Sequence, residues 1–164
     1  MKIDINLKEP NMLGVTVGKS IKVAEKYCKE NDLNFTPVRR KVLELLLKKN
    51  KALGAYEILD LLRESGFKNQ PPVAYRALDF LVKNGFAHKI EQLNSFVGCM
   101  HPGKDHSPAF MICRNCDFVS EEETINSSFS VSKIASKAGF KVEKAVIEAQ
   151  GPLSLVRECG VGLI

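Results

Sequence analysis

The stretch "QPPVAYRALDFLVKNGFAHKIEQLNSFVGC", Gln70 to Cys99, decides how the first half of this chain folds. Pro71 and Pro72 pre-set a helix start, and Asn84-Gly85 supplies a left-handed stop. Between them Ala74, Ala77, Leu78 and Leu81 recur at i, i+3, i+4 and i+7, which makes an apolar stripe of helical period. At about 100° per residue, Pro72, Arg76 and Asp79 point away from that stripe, with Tyr75 on its shoulder. A short helix therefore presents an arginine and a tyrosine outward. After Gly85 the period changes, and "FAHKI" and "SFVGC" read as two short strands about a polar turn at Gln92 to Asn94.

Upstream lie three helical patterns. "SIKVAEKYCKEN" places Ile21, Ala24 and Cys28 on one face, with Val23 and Tyr27 beside them; Cys28 reads there as a small core residue. "FTPVRRKVLELLLKK" begins with Thr36-Pro37, a side-chain cap followed by proline in the first turn, and carries a stripe of Val38, Val42, Leu45 and Leu46. "AYEILDLLRESG" has Gly54 at its N-cap and stops at Gly66. Three helices, a fourth with an outward arginine, and a β-ribbon form the order of a winged helix-turn-helix. In that design the fourth helix enters the DNA major groove and the ribbon lies against the backbone.

Downstream the chain changes in kind. Strand-like "AFMIC" leads into the hook Cys113-Arg-Asn-Cys116, and strand-like "DFVSEEE" follows. "SSFSVSKIASKAG" reads as a helix with Val131, Ile134, Ala135 and Ala138 on one side, and "FKVEKAVIEAQ" as a last strand. So small an α/β unit is more comfortable as half of a dimer. The fold class is α+β: an N-terminal winged helix-turn-helix followed by a small α/β dimerisation domain.

Charge follows the same division. Of 164 residues, Met1 to Asn94 holds 17 Lys+Arg against 11 Asp+Glu, a net of +6. Ser95 to Ile164 holds 7 against 8, a net of −1. A polyanion would meet the first half, although a basic surface can also be merely solvated. No apolar run approaches the ~18 residues of a membrane span, and "MKIDINLKEPNMLG" lacks the apolar stretch of a signal peptide. These features lead to the expectation of a soluble, cytoplasmic protein whose five cysteines are thiols or metal ligands rather than disulfides. "GVTVGKS", Gly14 to Ser20, imitates a phosphate-binding loop but has three residues between its glycines where the motif needs four. It reads instead as a turn capping the first helix.

All three histidines fall between His88 and His106, with Cys99 among them, and the hook and the acidic run Glu121 to Glu123 follow closely. Singly, each has an ordinary structural explanation. His88 alternates with Phe86 and Ile90 on a half-buried strand, Cys99 suits a core, and glutamates suit solvent. Clustered at a domain junction, imidazole, thiol and carboxylate form a ligand set that suits zinc.

Taken together, "TPVRRKVLELL", "AYEILDLL", the opening stretch and "FMICRNC" with its trailing "EEE" resemble the ferric-uptake-regulator superfamily. The zinc-uptake-regulator branch is closest, and the resemblance spans roughly Ser20 to Gly151. It implies a homodimeric, metal-dependent transcriptional repressor that binds a double-stranded DNA operator, with no membrane, small-molecule substrate or enzymatic activity. The implied organisation is an arm over 1–17, a winged-helix domain over 18–95, a hinge over 96–102 and a dimerisation domain over 103–164. The same resemblance implies a sensory zinc held by His88, Cys99, His106 and Glu121, with His101 as the alternative to His106. DNA contacts would come from Tyr75 and Arg76, which read bases, and from Tyr56 and Arg39, which touch mainly phosphates. Where the family has Pro-Thr-Val-Tyr-Arg this chain has Pro72-Val73-Ala74-Tyr75-Arg76, so one hydroxyl is lost.

The hook departs further from the pattern. The family pairs it with a second Cys-x-x-Cys past the last strand, but Leu153 and Val156 stand there and Cys159 comes three residues late. The four-cysteine structural zinc site is therefore expected to be absent, packing having replaced metal. The alternative is a remnant site of Cys113, Cys116 and Cys159. A histidine-rich run typical of the iron-sensing branch is replaced by "DHSPAFMIC". With the thiol of Cys99, that favours zinc over the alternative of an iron-, manganese- or peroxide-sensing regulator.

Overall fold

Apolar stripes at helical spacing build the first half around one core. In the computed structural model, which describes residues 11–49, 51–68, 70–103, 106–123 and 127–152, four helices come first. They are α1 (Asn11–Glu30), α2 (Pro37–Lys48), α3 (Ala55–Glu64) and α4 (Pro71–Lys83). A hairpin of β1 (Ala87–Ile90) and β2 (Ser95–Gly98) follows. Ile21, Ala24 and Cys28 of α1, Val42, Leu43 and Leu46 of α2, Ile58 and Leu62 of α3, and Leu78 and Leu81 of α4 are all buried together. Thr36 Oγ1 accepts from Arg39 N at 3.3 Å, so the cap expected at the start of α2 is formed. Gly66 and Gly85 take the left-handed φ of +87° and +73° that end α3 and α4.

The start of α1 differs from the sequence reading. The helix begins at Asn11, so it takes in the last part, 11–17, of the span expected as an arm, and Gly14 to Ser20 is helix rather than a capping turn. Val17 and Ser20 are buried with Ile21, Ala24 and Cys28, which extends the same face by one turn. Two glycines obscured that turn, since glycine is a poor helix former that packing easily overrides.

A second unit consists of β3 (Pro108–Cys113), β4 (Val119–Glu123), α5 (Ser127–Lys137) and β5 (Ile147–Gly151). The sheet order is β4-β3-β5, antiparallel on one side of β3 and parallel on the other, with α5 in the crossover. The last strand is shorter than expected: residues 140–146 lie outside it, and Phe140 is exposed beyond the Gly139 stop of α5. The hook makes the β3–β4 turn, where Asp117 N donates to the Cys113 carbonyl at 3.0 Å and Cys113 N to that of Phe118 at 2.8 Å. Cys159, Leu153 and Val156 lie outside the described residues, as does the remainder of the expected arm.

The junction is closed by packing. The hinge expected over 96–102 begins inside β2, because Phe96 to Gly98 pair with the other wing strand. Leu53 bridges to Phe96 and Lys51 to Phe118, so the segment before α3 is zipped to both units. Ala52, Ile90 and Val97 from the first half share a buried cluster with Phe110 and Ile112 of β3. A Cβ at Gly98 would lie 2.7 Å from Leu47 Cδ2 and 3.2 Å from Leu47 N, so a larger residue there would push Leu47 or β2 aside. That close approach sets where the next residue, Cys99, begins.

Candidate metal centre and DNA-facing helix

Strand β1, the β2–β3 connection and β4 converge on one small volume at this junction. His88 stands on β1 between buried Ala87 and half-buried Lys89, opposite Val97. Cys99 follows β2 and is fully buried, its N–H donating to the Phe86 carbonyl at 2.9 Å. His106 leads into β3. Glu121 lies on β4 opposite Phe110, and the two-residue period of that strand turns it inward while Glu122 is exposed.

The ligand-type atoms of these four residues all lie within 4.8 Å of one another. Glu121 Oε1 is 2.8 Å from His106 Nε2 and 3.3 Å from His88 Nε2. Cys99 Sγ lies 3.6 Å from His106 Nε2 and 3.8 Å from Glu121 Oε1. Donors about 2.0–2.3 Å from a tetrahedral zinc would sit ~3.3–3.8 Å apart, so most of these separations already suit the ion. His88 Nε2 is buried and makes no hydrogen bond of good geometry despite its closeness to Glu121. A buried nitrogen left so is costly unless something else accepts its lone pair. The ring of His101 packs 5.9 Å from that of His106 but stays outside the four-atom cluster.

Burial and charge shape the site's protons. Burial pushes the Cys99 thiol up, the nearby Glu121 carboxylate adds to this, and the result is about 12, despite an opposing hydrogen bond from the His101 backbone. Burial also works to raise the Glu121 carboxyl, but His88, the Met100 N–H and His106 outweigh it and bring it down to about 2. Met100 N donates to Glu121 Oε2 at 2.9 Å, which holds the carboxylate with its other oxygen toward the cluster. The site thus holds one ready anion and one protonated thiol at neutral pH.

Tyr75 and Arg76 lie exposed on α4, while Ala74 and Ala77 beside them are buried. Tyr56 is exposed in the first turn of α3. Arg39 is half-buried: its guanidinium sits 3.8 Å over the Phe80 ring and donates to the Asn34 carbonyl. Stacked there, it ties α2 to α4 as well as facing solvent. The Gln70 side chain makes no cap hydrogen bond to α4, and Val73, where the hydroxyl is lost, lies inside the first turn of the helix. Cys113 is buried at the end of β3 and Cys116 half-buried in the turn. Among the described residues the only cluster with metal-ligand geometry is the one at the junction.

Residues 30–150 match the profile of the Ferric uptake regulator family. The chain belongs to that family. The zinc uptake regulation protein of Escherichia coli (strain K12) is 40% identical over 129 residues, spanning 78% of this chain and 75% of the relative. A zinc uptake regulator solved in complex with zinc and DNA superimposes with a TM-score of 0.79 at 39% identity, covering 85% of this chain and 93% of that one. Holo XcZur gives 0.73 at 38% identity over 82% and 94%, whereas apo XcZur gives 0.51 at 37% over 85% and 96%. The arrangement of this chain is thus nearer that of holo XcZur than that of apo XcZur.

Sequence reasoning found the ligand-type residues but missed what surrounds them. Neither the Met100 amide nor the packing of Phe110 against the His88 ring, 5.3 Å between centroids, has a local signal.

Proposed function

We propose that this protein is a zinc-responsive, DNA-binding transcriptional repressor of zinc-uptake genes, acting in the cytoplasm as a homodimer. The reading is carried by one observation: two imidazoles, a thiol and a carboxylate meet between the wing and the sheet, His88 from β1, Cys99 and His106 from the two ends of the β2–β3 connection, and Glu121 from β4. Zinc, when bound, supplies a tetrahedral bridge among four such donors and no redox chemistry of its own. Four protein donors fill that shell, which leaves no position for a reacting water and accords with a regulator rather than an enzyme.

His88 moves with the wing, and the wing moves with α4 through their common core. Glu121 is fixed in the sheet by pairing to β3 and by the Met100 amide. Holding His88 beside Glu121 therefore holds α4 at one angle to the sheet. Val131, Ile134 and Phe140 project from the second unit with their apolar surface exposed, Ile134 at 71%. A second copy covering that face would set two α4 helices at a fixed separation on successive major grooves.

The reading is tested with a duplex that the zinc-loaded protein selects from a random pool. Couplings of ~1–3 kcal/mol per site are typical, so two sites should give on the order of 100-fold tighter binding with zinc than with chelator. Equal affinity in both conditions overturns the proposal. Arg76→Ala should weaken the same duplex by about 1–3 kcal/mol and relax base preference at one position. Wild-type affinity in that variant would remove α4 from the groove.

A further inference from the structure

Glu148 lies on the edge strand β5, in the second unit. Its Oε1 accepts from Glu91 N at 2.7 Å and its Oε2 from Gln92 N at 3.0 Å, while Gln92 Nε2 donates to its carbonyl at 3.1 Å. The tip of the wing is thus gripped by a carboxylate 56 residues away in sequence. Backbone amides offered in pairs to a carboxylate make strong, charge-assisted bonds.

The sheet register explains why this grip matters. Phe110 pairs with Glu121 on one side and with Glu148 on the other, so Glu121, Phe110 and Glu148 form one row across β4, β3 and β5. Two strand spacings make that row about 10 Å wide, and three residues of extended chain are about as long. His88 to Glu91 is three residues. The wing strand therefore spans the row: His88 lies by Glu121, its ring also packs against Phe110, and Glu91 and Gln92 reach Glu148. Ile90 and Val97 seal the middle against Phe110 and Ile112.

We propose that Glu148 is a positioning residue, a metal-independent anchor that holds the wing tip on the sheet and so presets His88 for the metal. The wing is clamped at two ends, and only the His88–Glu121 end depends on metal. The proposal rests on the zinc-responsive reading for its consequence but not for its geometry. An anchor that favours the closed junction raises metal affinity and metal-free DNA affinity by one common factor. Once metal saturates the site the junction is closed regardless, and the anchor no longer matters. A DNA contact or a merely structural residue would not leave that pattern.

Glu148→Ala and Glu148→Gln test this, the second keeping the shape while replacing one acceptor by a donor. The affected amides are solvent-accessible, so both variants should fold with wild-type melting temperatures. The first readout is hydrogen exchange of the Glu91 and Gln92 amides in metal-free protein, expected about tenfold faster in both variants. The second is affinity for zinc alone, measured against a competing chelator and expected to fall by about the same factor. The third is affinity for the selected duplex, expected to fall in chelator and stay unchanged at saturating zinc. Unchanged amide exchange overturns the anchor, and so does unchanged zinc affinity. Weaker DNA binding at saturating zinc with intact zinc affinity also overturns it. If wild-type protein binds no zinc, the functional reading fails, while the exchange rates alone still decide whether the wing tip is anchored.

Discussion

Cys99→Ala is expected to abolish the zinc response of DNA binding while leaving the metal-free fold in place. The side chain is small and buried, and its N–H bond to Phe86 is made by the backbone, so the substitution removes a sulfur and little packing. Losing a direct donor should lower zinc affinity by more than the ~10–100-fold that loss of a supporting partner costs. The thiol carries a second, independent signature. With its proton held up to about 12, binding a metal through sulfur must release that proton. The free protein then holds more protons than the loaded one, so zinc affinity should rise with pH, about tenfold per unit for one proton. The part of that slope that disappears on Cys99→Ala belongs to the thiol. Isothermal titration from pH 7.5 to 9 should show it in wild type and not in Cys99→Ala. A wild-type affinity flat across that range would remove the thiol from the ligand set.

Phe110→Ala should be the most damaging single core change at the junction. The ring is fully buried, touches the His88 imidazole and sits between Ile90, Val97 and Ile112. Truncating such a phenylalanine costs about 3–5 kcal/mol, measurable by urea denaturation of the metal-free protein. Because it is also the middle of the row linking Glu121 and Glu148, zinc affinity should fall together with stability. A variant losing stability but binding zinc normally would show that the ring supports the fold and not the clamp.

How much of this was legible beforehand depends on the range of the interaction. Helices α2 to α4 carry period-3.6 stripes bounded by Thr36-Pro37, Gly66, Pro71 and Asn84-Gly85, and each of those signals acts within a turn or two. The wing was legible for the same reason. The start of α1 was not, since Val17 and Ser20 become buried only when the rest of the first unit packs around them. The last strand was read too long because "FKVEKAV" alternates as a strand would, while only Ile147–Gly151 finds a partner in β3. The four ligand-type residues were nameable from their chemistry and from resemblance. Their convergence within 4.8 Å was not, because it needs the wing folded down on a sheet more than 20 residues away.

Helices α2 to α4, the ribbon after them, the outward arginine and tyrosine of α4 and the donor types suited to zinc follow from the chain alone. Which histidine joins the cluster, the pairing of the first residues of the expected hinge and the grip of Glu148 on the wing arise only in the folded molecule. The physical reason is that helix stripes and caps are satisfied between residues a turn apart. A metal cluster, a shared apolar seam and a carboxylate on distant amides exist only once two separately folded surfaces meet.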